Sequence, residues 1–411
     1  PLPTGHVLGV GGASLTLAGL QLTTPVERVL DVGTGCGIQA LRARRAAASV
    51  VATDVSERAL AFTRLNAVLN GVDGIQTRHG SLFEPVAGER FDRVVSNPPF
   101  VITPRVAGVP EYEYRDAGFA GDDLVAAFVS GVGAVLAPGG TAQLLGNWEY
   151  RDGADGLGRV RAWVDASPVP LDAWIVEREQ LDPLAYAELW VRDGGTAPGT
   201  RGTPGTRGTP GTSGYADLVG AWLADFAARG VTAVGFGYLL LRRVPEGADA
   251  PALRRFERLT QPIGAREGGL GAHLAAALEA SDALSALDDD ALAAARLVVA
   301  GDVTEARHHL PGAAGPAGRT VLTRAQHRGH RDRGGRGHRD PGISRSPVRS
   351  GILERRYGFR FTVLAHARGD PATKNEKDGN HEAGDPPRLR AHHGHVHLRQ
   401  HLRDSLDRDL R

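Results

Sequence analysis

Four consecutive residues, Asn97-Pro98-Pro99-Phe100, carry the most specific chemistry in the chain. The chemistry they suit is that of a planar nitrogen. An amide or exocyclic amine delocalises its lone pair and is a poor nucleophile. Two carbonyl oxygens that accept its two N–H bonds favour a pyramidal geometry and aim the lone pair at an electrophilic carbon. The Asn97 side-chain oxygen and the Pro98 backbone oxygen are the candidates, and successive prolines fix the backbone so that both are held in advance. Phe100 offers a face on which a base or amide plane can stack. Taken alone, the tetrapeptide also reads as a rigid loop after the strand-like run Phe91–Ser96.

A second constellation precedes it. Val29-Leu30-Asp31-Val32-Gly33-Thr34-Gly35-Cys36-Gly37 is a strand running into a glycine-rich turn and then a helix. Glycine at alternate positions lets the backbone pass close to a ligand and adopt dihedrals that other residues avoid. The spacing is not that of a dinucleotide loop, which needs G-x-G-x-x-G. Here the third glycine comes one residue early, and Ile38 stands where that pattern wants glycine. Asp54, 17 residues after Gly37, ends the run Val50–Thr53. A carboxylate there suits a ribose diol, since it accepts two hydroxyl protons at once. It also suits a cap on a helix starting near Val55.

The elements that must position these residues follow an α/β alternation over about 26–180. Apolar, β-branched runs at 28–31, 49–53, 91–96, 141–145 and 173–176 predict strands. Helical spacing falls between them at 37–48 and 56–69, with Ser56-Glu57 as a start and Asn70-Gly71 as a stop. Asp122-Asp123 opens a further helix, and Ala137-Pro138-Gly139-Gly140 turns it into the next strand. Residues 196–214 repeat Gly, Thr, Pro and Arg and read as a flexible surface insertion. Residues 215–229 are helical and 231–241 strand-like, which resumes the sheet. The expected organisation is a remnant of an N-terminal segment (1–25), a main α/β domain (26–245), a small helical appended domain (252–312) and a basic tail (320–411).

The 411 residues have a formal charge of +1 that averages unlike parts. From Val321 to Arg411 there are 20 Lys+Arg against 11 Asp+Glu, a net +9 that leaves −8 elsewhere. The tail also holds both lysines and ten of the 15 histidines and loses hydrophobic periodicity. It fits a disordered basic segment or one translated out of frame. The absence of Met and the start Pro-Leu-Pro lead us to expect a fragment. One cysteine, Cys36, excludes a disulfide framework or a thiolate zinc cluster and points to a reducing, cytoplasmic setting. No apolar run approaches the roughly 20 residues of a bilayer span.

Asp31-x-Gly-x-Gly-x-Gly followed by Asp54 resembles the class I S-adenosylmethionine-dependent methyltransferases. Gly80-Ser81-Leu82-Phe83-Glu84-Pro85 and the turn at 137–140 extend the resemblance. It implies a seven-stranded, doubly wound Rossmann-like sheet with S-adenosyl-L-methionine bound at the strand ends. By resemblance, Gly33, Gly35 and Gly37 border its methionine part, Asp31 reaches its amino group through the loop, and Asp54 holds the ribose. Backbone groups of Ser81 and Leu82 lie beside the adenine, although relatives often carry Asp where Ser81 stands. Asn-Pro-Pro-(Phe/Tyr) resembles the amino-methyltransferase branch, including the methyltransferase-small group and the release-factor glutamine enzymes. The sulfonium carries an activated methyl, so no metal or strong general base is required. Asn97 then also borders the cofactor.

Further residues are open to two readings. Arg115, within the aromatic and charged segment 112–123, either touches substrate or belongs to a helix lead-in. Pro99 and Trp148 are candidate substrate walls, and Trp148 is equally a packing residue. Thr16 reads as core packing rather than a cofactor contact. Cys36 fills a position that needs a small side chain, and no nearby residue activates it. The run His392–His397 offers at most adventitious metal binding. The acidic body lacks the basic surface of an RNA enzyme and favours a protein glutamine as acceptor. A nucleic-acid adenine or guanine amino group is the alternative, and a non-catalytic RNA- or partner-binding module on the same fold is the rival from another class.

Overall fold

The structure, a computed structural model, describes residues 6–106, 109–110, 118–203, 213–247, 250–261, 269–286, 290, 303–309 and 316–324. Its framework is a sheet of eight strands: β1 (Val26–Val32), β2 (Ala47–Asp54), β3 (Ile75–His79), β4 (Phe91–Ser96), β5 (Leu136–Arg151), β6 (Leu171–Leu181), β7 (Val231–Arg243) and β8 (Arg254–Arg258). They lie in the order β3-β2-β1-β4-β5-β7-β6-β8. Pairing is parallel throughout except at β7, which runs antiparallel to both β5 and β6. The order turns back at β1 and β4, and in a doubly wound sheet ligands bind beyond the carboxyl ends of the strands at such a reversal.

The inner strands β1, β2 and β4 end in unbroken buried runs, as strands covered on both faces must. The covering helices are α1 (Gly12–Leu20), α2 (Ile38–Ala43), α3 (Glu57–Leu69), α4 (Asp123–Gly131) and α5 (Gly156–Asp165). The α3 helix starts where the sequence predicts: the Ser56 side chain accepts a hydrogen bond from the Ala59 amide. It ends at Asn70, and Gly71 takes the left-handed φ of +62° that closes such a helix. Between β6 and β7 lie two helices, α6 (Pro183–Asp193) and α7 (Tyr215–Ala228), with an aromatic core of their own. Residues 204–212 of the predicted insertion lie outside the described residues.

Two expectations need correction. The sheet has eight strands rather than seven, and the eighth comes from the region read as a helical appendage. Arg254–Arg258 is charged at four of five positions, so no apolar alternation marks it. It pairs with β6 at the sheet edge, where Arg258 Nε donates 2.9 Å to the buried Glu177 carboxylate. The helix α8 (Gly269–Ser285) is likewise joined to the main body. Leu274 and Leu278 pack against Leu22 and Leu240, and Asp282 accepts from the buried Arg242 guanidinium at 2.6 Å. The strands β9 (Val303–His309) and β10 (Pro316–Arg324) form an antiparallel hairpin where no strand is expected. The tail beyond residue 324 lies outside the described residues.

Candidate active site

Three parallel strands deliver the site residues to one edge. Val32 lies opposite Thr53 on one side and Ser96 on the other, so β1, β2 and β4 finish level. The chain leaving them is then tied across strands. The amides of Gly33 and Thr34 both donate to the Thr53 carbonyl at 2.9 Å, and Ser96 Oγ donates to the Val32 carbonyl at 2.8 Å. These bonds hold the glycine turn beside the start of the Asn97 tetrapeptide. Both line one cavity, together with Asp54, Ser81 and Leu82.

The glycine turn has left-handed φ at Gly33, Gly35 and Gly37, a region that side chains disfavour. At Gly35 (φ +56°) a Cβ would meet nothing within 4 Å, so conformation alone requires glycine there. At Gly37 (φ +87°) a Cβ would also come within 3.1 Å of Thr63, where α3 packs on the turn. Asp31 stands behind the turn, fully buried and not part of the cavity lining. Its Oδ2 accepts from Thr34 Oγ1 at 2.7 Å and from the Ala40 amide at 2.9 Å, which clamps both ends of the loop. Burial pushes its carboxyl up to about 7, against the opposing pull of those two bonds and with added repulsion from Asp54.

Asp54 does line the cavity. Its Oδ2 accepts from the Gly35 amide and its Oδ1 from the Ser56 amide, both at 2.9 Å. Ser56, not Asp54, caps α3. An ionised carboxylate is an acceptor with about four positions, the donor-seeking chemistry that hydroxyls suit. The third wall comes from the end of β3. The Gly80 amide donates to the Asp54 carbonyl at 3.0 Å, and Leu82 takes a φ of +44°, unusual for a leucine. Strain of this kind persists only where the surroundings enforce it, and here it sits on the cavity wall. Cys36 also lines the cavity, and burial pushes its thiol up to about 11, which removes it as a nucleophile near neutral pH.

Asn97 has the most informative surroundings. Its Nδ2 lies 3.4 Å from Ser14 Oγ on α1, whereas its Oδ1 is buried with no hydrogen-bond partner. Leaving a buried acceptor unmet costs roughly 1–3 kcal/mol, so such an atom in a cavity marks a place for a donor. Pro98 and Pro99 line the same cavity.

Two expected substrate residues, Phe100 and Trp148, are not brought into this cavity. Phe100 packs into the core, with its ring 5.5 Å from that of Phe236. Trp148 is wholly buried on β5 and donates 2.7 Å to Glu177 Oε2. Its neighbours on the antiparallel strand are Gly235 and Gly237, whose missing side chains make room for the indole. Arg115 lies outside the described residues, as does the run His392–His397. The sequence reading also passed over several residues. Ser14, His6 and Leu8 line the cavity, as does Phe119 from the aromatic segment 112–123. Gln39 donates 2.8 Å to the Ser14 carbonyl and so holds α1 over the site. Thr16, two residues further along α1, is buried away from the cavity, in keeping with its reading as core packing.

This arrangement can be set beside known proteins. Residues 11–108 match the family model of the "Methyltransferase small domain". Over these residues the chain is similar to that domain. Among curated relatives, the release factor glutamine methyltransferase of Xylella fastidiosa (strain Temecula1) is 38% identical over 131 residues, which is 30% of this chain and 48% of that protein. The release factor glutamine methyltransferase of Deinococcus radiodurans is 41% identical over 125 residues, 28% and 44% of the two chains. The ribosomal protein uL3 glutamine methyltransferase of Bradyrhizobium diazoefficiens is 36% identical over 127 residues, 28% and 40%. The chain thus spans under half the length of these relatives. No described helix is long and apolar enough to cross a membrane, and no described group of His, Cys, Asp or Glu residues could hold a metal ion.

Proposed function

We propose that the protein transfers a methyl group from S-adenosylmethionine to the side-chain amide nitrogen of a glutamine in a cytoplasmic acceptor protein. The observation that carries this is the buried, partnerless Asn97 Oδ1, in the same cavity as the glycine turn and Asp54. The residues fit the cofactor. The φ-positive turn lets its main chain approach a ligand closely, the Asp54 carboxylate on the cavity wall is an acceptor of the kind a ribose diol needs, and Ser81 and Leu82 line the same cavity. The bound cofactor supplies an activated methyl on a sulfonium. The chain itself orients the acceptor. Asn97 Oδ1 and the Pro98 carbonyl accept the two amide N–H bonds, which draws the nitrogen lone pair out of conjugation. The proline pair keeps those oxygens from reorganising, which is where preorganised electrostatics lowers a barrier.

Phe100 packs against Phe236 rather than lining the cavity, so the stacking face expected for either acceptor, base or amide, is not part of it. The net −8 of residues 1–320 and the glutamine-methylating relatives favour an amide. The test is transfer of labelled methyl to purified release factors, ribosomal proteins and tRNA. We expect label on a release-factor glutamine, with binding little affected by salt. Label confined to RNA, with steep salt dependence, would replace this reading with the nucleic-acid one.

Asp54→Ala should weaken cofactor binding about tenfold by calorimetry, since one charged hydrogen bond contributes roughly 1.5–3 kcal/mol and part is recovered by water. Unchanged affinity would remove Asp54 from the cofactor site.

A further inference from the structure

Tyr186 stands on α6, outside the cavity lining, yet its hydroxyl holds the chain that leaves the Asn97-Pro98-Pro99 corner. It accepts from the Ile102 amide at 3.1 Å and from Asn147 Nδ2 at 2.6 Å. Asn147 lies on β5 opposite Phe236 of β7, and the Phe236 ring packs against Phe100. The two ends of the segment 100–102 are therefore pinned on a single cross-strand pair, Phe100 directly and Ile102 through Tyr186. Pro98 and Pro99 have no N–H, so the corner cannot anchor itself through its own amides at those positions. The Ile102 amide ties down the chain just after it. The ring of Tyr186 is set by Trp222 and Phe226 of α7 at about 6 Å, and this aromatic group covers Val101 and Ile102.

We propose that Tyr186 is a positioning residue for the chemistry at Asn97, through which the α6–α7 pair fixes the geometry of the acceptor corner. This rests on the function proposed above. The hydroxyl touches neither cofactor nor substrate. It sets how firmly the Asn97 and Pro98 oxygens are held, and a misplacement of about 1 Å from outside a site can cost a hundredfold in rate. The same contact gives the inserted helices a role: a change on α6 reaches the segment that leaves the corner through one hydrogen bond, at Ile102.

Three measurements test this on the full chain. Tyr186→Phe removes one oxygen and keeps the ring. It should lower kcat about tenfold, leave the acceptor KM and cofactor Kd within about twofold, and raise amide hydrogen exchange at Ile102 at least tenfold. Val219→Ala, in the same cluster but without a bond to the loop, should lower the melting temperature while leaving kcat and Ile102 exchange unchanged. An unchanged kcat in Tyr186→Phe, or an equal loss in Val219→Ala, overturns the proposal. If the wild-type protein transfers no methyl to any acceptor, it is the proposed function that fails. Exchange then decides alone, and unaltered Ile102 protection in Tyr186→Phe overturns the positioning role.

Discussion

Asn97→Ala is expected to lower kcat for methyl transfer about a thousandfold while leaving cofactor affinity within about twofold. The magnitude follows from what the side chain does. Removing one preorganised polar partner of a transition state costs about 10²–10³ in rate in comparable sites, and here the lost partner is also one of only two acceptors for the nitrogen. The substitution should be tolerated by the fold. Asn97 donates one 3.4 Å bond to Ser14 and leaves its oxygen without a partner, so alanine forfeits little and removes an unmet buried acceptor. Single-turnover transfer of labelled methyl, with calorimetric titration of the cofactor, separates the two quantities. Equal losses of binding and turnover would mean that Asn97 serves the cofactor rather than the acceptor. Transfer within tenfold of wild type would remove the two-oxygen scheme altogether.

The legibility of this site in sequence was uneven for a physical reason. Local features survived intact: a capped helix at Ser56, the turn at Gly33–Gly37 and the strand leading to Asn97 are each set by residues within a few positions of one another. Relations across the sheet did not. Nothing in the sequence near Phe100 says that Phe236 will meet its ring, because that contact depends on the antiparallel register of β5 and β7. Trp148 has the same history. Its position at a presumed strand end suggested a pocket wall, but β5 continues to Arg151 and carries it inward to Glu177. The edge strand at 254–258 was invisible because its side chains are mostly charged and its pairing is made by backbone. Ser14 was missed for a third reason: its role comes from α1 folding over the cavity, held by Gln39, which sits 25 residues away.

The second large effect concerns Asp31 and acidity. Its carboxyl titrates near 7 in the folded chain against 3.8 in an exposed one, because burial disfavours the charge. A group raised in this way binds a proton in the folded state over a range where the unfolded chain has already lost it. Its contribution to stability is therefore greatest in mild acid and falls as pH rises from about 4 to about 7, then stays level. Between pH 5 and pH 8 the change amounts to about 2–3 kcal/mol. Asp31→Asn keeps one oxygen for Thr34 and Ala40 but cannot titrate. Thermal melting of both proteins at pH 5 and pH 8 isolates the residue from every other carboxylate, including Glu89, whose pairing with Arg78 and Arg28 shifts it the opposite way. The wild type should lose about 3–4 °C relative to Asp31→Asn over that interval. A constant difference between the two would show that the clamp behind the glycine turn is ionised throughout.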